Sequence, residues 1–221
     1  MVRRKSAPKG PRLRKPGPTG VQLGEQAARG MVMAGAALLF ANRGVRAVSV
    51  EDVLSHSGIS RRTFYRLYKS KEDVVEALYR FGTDRLLVAC REAVAQETEP
   101  VRQIERFIDA HLRNVAELGR LVFVLGGEAQ RQESSLHARR MEVHGQLVTL
   151  LQPVAPNVDP LLARSLILAL EGAARIMLEE SDEGRAVTKA GIERVRRVMM
   201  RMATAAIAGG GPGVAPLPPV K

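Results

Sequence analysis

The stretch SVEDVLSHSGISRRTFYRLYKSK, residues 49–71, leaves few ways to fold. Ser49 stands before Val50-Glu51-Asp52, so a hydroxyl takes an N-cap and two acids meet the free amides of a first helical turn. Val50, Val53 and Leu54 supply an inner face. Ser57-Gly58-Ile59 then breaks the pattern: Gly58 accepts the positive φ of a sharp turn, and Ile59 can anchor that turn to a core. Ser60 caps a second short helix. At about 100° per residue, Arg61, Arg62, Tyr65 and Arg66 share one side and Phe64, Leu67 and Tyr68 the other. No acid occurs between Gly58 and Lys71. Two capped helices joined by a glycine turn, the second cationic on one face and apolar on the other, form what a major-groove reader requires. An ordinary solvated helix face is the bland alternative, and the spacing and local charge weigh against it.

Charge is distributed in the same sense. Up to Arg80 there are 16 Lys/Arg against 6 Asp/Glu, and beyond it 18 against 17, so nearly all of the net +11 sits at one end. A double-stranded nucleic acid is the favoured polyanion, with an anionic membrane surface as competitor. Residues 1–21 read as a disordered basic arm: the first twenty hold seven Lys/Arg, no acid, four Pro and three Gly. Such an arm either reaches along the minor groove or is a solvated tail. From about Gln22 to Asn42, Ala27, Met31, Ala34, Leu38 and Ala41 recur at helical spacing, and Gly44 ends the helix. Met31–Ala41 is too internal and too helical in pattern for an export signal, and no run reaches the ~18–20 apolar residues of a membrane span. The single Cys90 cannot pair internally, which fits a reducing cytoplasm. A third capped helix opens at Ser70 and extends to about Gln96, long enough to link the basic part to whatever follows.

The run Ala36-Ala37-Leu38-Leu39-Phe40, Gly44, Ser49-Val50-Glu51-Asp52-Val53, Gly58-Ile59-Ser60, Thr63-Phe64-Tyr65, Tyr68-Lys69-Ser70-Lys71-Glu72-Asp73 resembles the DNA-binding domain of the TetR family of bacterial transcriptional regulators. The likeness covers about residues 24–80. It implies an all-α fold: an N-terminal three-helix domain with a helix-turn-helix over residues 22–80, then a helical effector-binding and dimerisation bundle over 81–208. It implies base contacts from Arg61, Arg62, Thr63 and Tyr65, and phosphate contacts from Ser49 and Lys71. Leu67 departs from the family pattern. It cannot donate to a phosphate, and Arg66 or Arg62 is expected to take over that contact.

In the second half, Glu99-Pro100 opens a helix with Ile104, Phe107, Ile108, His111, Leu112, Val115 and Leu118 on a wide stripe. Leu121–Leu125, closed by Gly126-Gly127, could by periodicity alone be a strand; the resemblance favours a short buried helix. A helix from about Glu133 to Leu151 carries His137 and His144, which lack the further ligands a metal site needs. Leu161–Glu179 is apolar nearly all round and therefore needs cover on both sides, which a second subunit would supply. Glu171 and Arg175, four apart, are expected as an intrahelical ion pair ahead of effector anchors. The last helix, to about Ile207, carries Ile192, Val195, Met199, Met202 and Ala206 on one face and Arg194, Arg197 and Arg201 on another, and residues 209–221 read as a disordered tail. The resemblance implies that the last two helices pair with their symmetry mates.

With aromatics at 4% and no Trp, any cavity should be lined by aliphatic side chains, Met and a few Phe. Candidate effector contacts are Phe107, His111, Phe123, His144, Glu171 and Arg175. The expected partners are a palindromic double-stranded operator, a second copy of the chain and a small apolar ligand, with repression the favoured sign. Control by a protein partner without a ligand is the alternative. No catalytic residue, cofactor or metal is expected, since neither a nucleophile elbow nor a phosphate loop occurs and Cys90 reads as a helix-face residue.

Overall fold

The computed structural model describes residues 18–180 and 187–209. These form nine helices and no strand among the described residues: α1 Pro18–Arg43, α2 Val50–Ser57, α3 Arg61–Leu67, α4 Lys71–Ala95, α5 Pro100–Leu118, α6 Arg120–Gln130, α7 Leu136–Leu151, α8 Pro160–Glu180 and α9 Lys189–Gly209. The fold is all-α. Most of the expected basic arm and of the C-terminal tail lies outside the described residues. α1 nevertheless begins at Pro18, within the stretch expected as an arm. Proline costs nothing there, because the first amides of a helix have no partner to lose.

Local chemistry sets the boundaries. Ser49, Ser60 and Ser70 each accept a hydrogen bond from the amide three residues on, at Asp52, Thr63 and Asp73. At α2 the box is reciprocal, since Asp52 also accepts from the Ser49 amide. Gly44 and Gly58 take positive φ, 78° and 67°, and so close α1 and α2.

Two apolar clusters organise the helices. The first gathers Val32, Ala36 and Phe40 of α1, Val53 of α2, Phe64 of α3 and Val74 of α4, all at most 1% exposed. The second centres on Leu112, Leu147, Ile167 and Leu170 from α5, α7 and α8. α4 belongs to both: Val74, Val75 and Leu78 enter the first, Leu86, Leu87, Cys90 and Val94 the second. α6 straddles them too, with Leu125 and Ala129 in the first and Val122 and Phe123 against the second. Two polar ties reinforce that junction. Arg120 Nε donates to the Ala41 carbonyl at 2.7 Å, and Arg46 lies 3.5 Å from Glu128.

Several expectations are corrected. Gly126-Gly127 does not close the apolar run; α6 continues through both to Gln130. Glycine inside a helix costs about 1 kcal/mol against alanine, and tertiary packing offsets it at Gly127, where an added Cβ would lie 3.2 Å from Arg175 Nη1. Glu171 and Arg175 do not pair within α8. Glu171 instead receives Arg140 and His144 of α7, while Arg175 sits 3.6 Å from Glu179 and over the Phe123 ring. On α9, Val195, Met199 and Ala203 are buried, and Met202 of the expected apolar face is 41% exposed. No helix among the described residues is long and apolar enough to cross a membrane.

Candidate nucleic-acid interface and interior cavity

On α3, Phe64 and Leu67 are buried and hold the helix to the first cluster. Tyr65 is 47% exposed, and Arg61, Arg62 and Arg66 are exposed. The face opposite the core is therefore cationic and carries an exposed phenol. Tyr65 meets Phe64 edge to face, ring centroids 5.3 Å apart.

The other expected contact residues are placed as follows. Arg61 forms an ion pair with Glu51 of α2, so its guanidinium is tethered across the turn. Thr63 is half-buried, and its hydroxyl lies 3.0 Å from Ser60 Oγ. Ser49 is exposed and donates to Asp52 Oδ2 at 2.6 Å. Ser49 and Arg43 together hold the Asp52 carboxyl well below the usual carboxylate range. Lys71 departs furthest from a free phosphate ligand: its Nζ donates to the Val45 and Val48 carbonyls at 3.1 and 3.0 Å, closing the loop before α2. Leu67, which breaks the family pattern, is a core residue, and its carbonyl accepts from Arg29 at 3.4 Å. Arg29 also covers the Tyr68 ring at 5.6 Å. Sequence reasoning missed Arg29 and Glu51 as supports of α3, because both act across the fold and no local pattern marks them.

A cavity of about 460 Å³ lies where α1, α4, α5, α6, α7 and α8 converge. Its wall toward the basic end comes from Met33, Ala34 and Ala37 of α1, with Leu78, Phe81 and Leu86 of α4. Phe81 is 56% exposed and still lines the space, which puts it at the mouth. Polar groups come mainly from α5, α7 and α8: His111, Asn114, Arg140, His144 and Glu171. Of the six candidate effector contacts, His111, His144 and Glu171 line this cavity. Phe107 is buried beside a much smaller void, and Phe123 and Arg175 flank another that shares His111 and Glu171. Asn114 was missed, although it lies three residues after His111 on the same helical face and that spacing could have found it.

The electrostatics of the polar end are internally balanced. Arg140 grips Glu171 with two bonds, Nε to Oε1 at 3.1 Å and Nη2 to Oε2 at 2.7 Å, and His144 Nε2 lies 3.1 Å from Oε2. Burial would raise the Glu171 carboxyl, but His144 and Arg140 more than offset it and hold it at about 2. Burial likewise pushes the His111 ring down to about 4 and the Tyr79 phenol up to about 12, so both are uncharged near neutrality. Among the described residues, three buried side-chain atoms have no hydrogen-bond partner: His111 Nδ1, Asn114 Oδ1 and His144 Nδ1. Cys90 is fully buried, and its thiol is pushed up to about 12, so it offers no thiolate nucleophile. Among the described residues no group of three or more His, Cys, Asp or Glu is placed to hold a metal ion.

Fold and site together define a helix-turn-helix unit with a cationic exposed face on α3 and a larger helical unit attached. The chain matches, over residues 32–78, the sequence model described as bacterial regulatory proteins, tetR family. It is 31% identical over 106 residues to the HTH-type transcriptional repressor KstR2 of Mycobacterium tuberculosis (strain ATCC 25618 / H37Rv), a match covering 48% of this chain and 53% of that protein. KstR2 of Rhodococcus jostii (strain RHA1) is 36% identical over 73 residues, 33% of this chain and 36% of that protein. The chain thus spans about half the length, or less, of these curated relatives. Among solved structures, a TetR-like transcriptional regulator from Rhodococcus sp. RHA1 superposes with a TM-score of 0.67 at 19% identity, over 82% of this chain and 96% of that one. The fatty acid degradation regulator FadR from Bacillus halodurans gives 0.66 at 16% identity, over 85% and 97%. At those identities the likeness is one of fold.

Proposed function

We propose that the protein is a homodimeric transcriptional repressor that leaves a palindromic operator when a small, largely apolar effector fills the cavity. The observation that carries this is the shared wall: the space is bounded by α1 and α4, which also build the domain that presents Arg62 and Arg66. An occupant that favours one packing of α1 and α4 over another would shift the angle between two readers, provided its affinity for the two packings differs. In this reading Arg61, Arg62, Thr63 and Tyr65 meet base edges, and Ser49, Arg66 and Lys71 meet phosphates, with Lys71 turning from the loop carbonyls and Arg61 leaving Glu51 as DNA arrives. The relatives named as repressors support the sign of regulation.

Dimerisation would use the faces that the monomer leaves bare. Leu161 is 73% and Ile176 56% exposed on α8, and Val198 48% on α9. Two half-sites about one helical turn of DNA apart would then meet the two copies of α3. Cytoplasmic residence follows from this role. Control by a protein partner is the competing reading, and a ligand-sized cavity favours the small molecule.

The test is a gel shift on the DNA upstream of the protein's own gene against a scrambled duplex. Specific retardation is expected, and Arg62→Ala should weaken it by roughly 1–3 kcal/mol while relaxing one base preference. Equal affinity for the two duplexes would sink the proposal.

A further inference from the structure

We infer that the cavity takes an uncharged, mostly hydrocarbon molecule ending in a hydroxyl, with the hydroxyl seated among His111, Asn114 and His144. This rests on the regulator reading and narrows its effector. The three unpartnered polar atoms all belong to residues that line the 460 Å³ cavity. Each is deeply buried: His111, Asn114 and His144 are 6%, 7% and 5% exposed. Buried polar atoms left alone are costly, so an occupant that bonds them gains more than the area it covers.

Hydrogen-bond roles select the end group. His144 turns Nε2 to the Glu171 carboxylate, an acceptor only, so Nε2 carries the hydrogen and in the neutral ring Nδ1 is left as an acceptor. Asn114 presents an amide oxygen, a second acceptor. An acceptor needs a donor opposite it. A carboxylate or a ketone has none, whereas a hydroxyl donates once and accepts from His111 or the Asn114 amide. Charge points the same way. Arg140 is the cavity's guanidinium, and it is already bound in bidentate fashion to Glu171. A ligand carboxylate would place a second anion beside Glu171 with no free cation among the lining residues, and His111 stays neutral because burial holds it at about 4. The remaining lining is hydrocarbon from α1, α4 and α6, which calls for a hydrocarbon body.

The experiment uses the full chain and two skeletons, each as alcohol, carboxylate and hydrocarbon: decanol, decanoate and decane, and the decalin alcohol, acid and parent. Binding is read from the shift in melting temperature across a concentration series, and DNA release from the gel shift. One of the alcohols is expected to bind at least tenfold tighter than its acid and its hydrocarbon. Asn114→Leu should remove the preference for alcohol over hydrocarbon. Gly126→Leu, which fills open space in the wall away from the polar atoms, should weaken alcohol and hydrocarbon alike. An acid binding as well as its alcohol, or none of the six binding, overturns the inference, as does an unchanged preference in Asn114→Leu. Should that variant fail to fold, the comparison of acid with alcohol on the unaltered chain decides alone. DNA binding without any probe is scored separately, so its loss would strike the regulator reading and leave the ligand result legible.

Discussion

His111 shows how far one residue can be read from its neighbours in sequence. Its place on the apolar stripe of α5 is plain from helical spacing, and that spacing leaves both a core role and a ligand role open. In the structure it is buried against Phe107, ring centroids 6.5 Å apart, and it also lines the cavity. Its titration carries a stability consequence. The folded ring is held at about 4 against 6.5 for a free ring, so the unfolded chain takes up the proton first. Stability is undiminished above pH 6.5 and falls as pH drops through 6.5 toward 4, by roughly 2 kcal/mol between pH 7 and 4.5 from this group alone. Urea unfolding at those two pH values should show a smaller loss in His111→Leu than in the unaltered chain; an equal loss would mean that the ring is already hydrated in the fold. Lys71 and Arg61 illustrate what sequence hides. The resemblance makes them expected DNA contacts, but the loop carbonyls that engage Lys71 and the Glu51 that engages Arg61 come together only through tertiary structure.

Among the elements, the capped helices are the easiest to place. Ser49, Ser60 and Ser70 announce three starts, and each makes its cap bond. α6 is the hardest, because a glycine pair normally ends a helix and here packing carries the helix past it. Two glycine environments predict opposite responses. Gly126 has nothing within 4 Å of an added Cβ, while a Cβ at Gly35 of α1 would meet His56 at 3.3 Å and Ser57 Cβ at 3.4 Å of α2. Gly126→Ala should therefore raise unfolding stability by about 1 kcal/mol through backbone entropy. Gly35→Ala should gain clearly less, or lose, as α1 and α2 are pushed apart. Chemical denaturation of both variants checks the order, and a larger gain at Gly35 would show that α2 yields freely.

At the scale of the whole molecule, the exposed apolar residues of α8 call for a cover. The described chain leaves Leu161, Leu168 and Ile176 of α8 exposed, together with Val198 and Met202 of α9. If these faces join two copies, Ile176→Glu would bury two charges at the centre of the contact. Sedimentation should then find a monomer, and operator affinity should collapse while the helical spectrum is kept; a dimer that survives would place the interface elsewhere. The cavity is not legible in the sequence, since six helices converge on it and no single stretch outlines it. Its wall also has a meaning for how such a protein can diversify. Met33 and Ala37 touch the hollow and pack against the core that holds α3. Under the proposed function, substitutions there that retune what the hollow accepts would act at the same time on the part proposed to read DNA, so descendants of this chain could not trade one inducer for another at that wall as an independent trait, and a mutant library built on it would have to be selected for both properties at once.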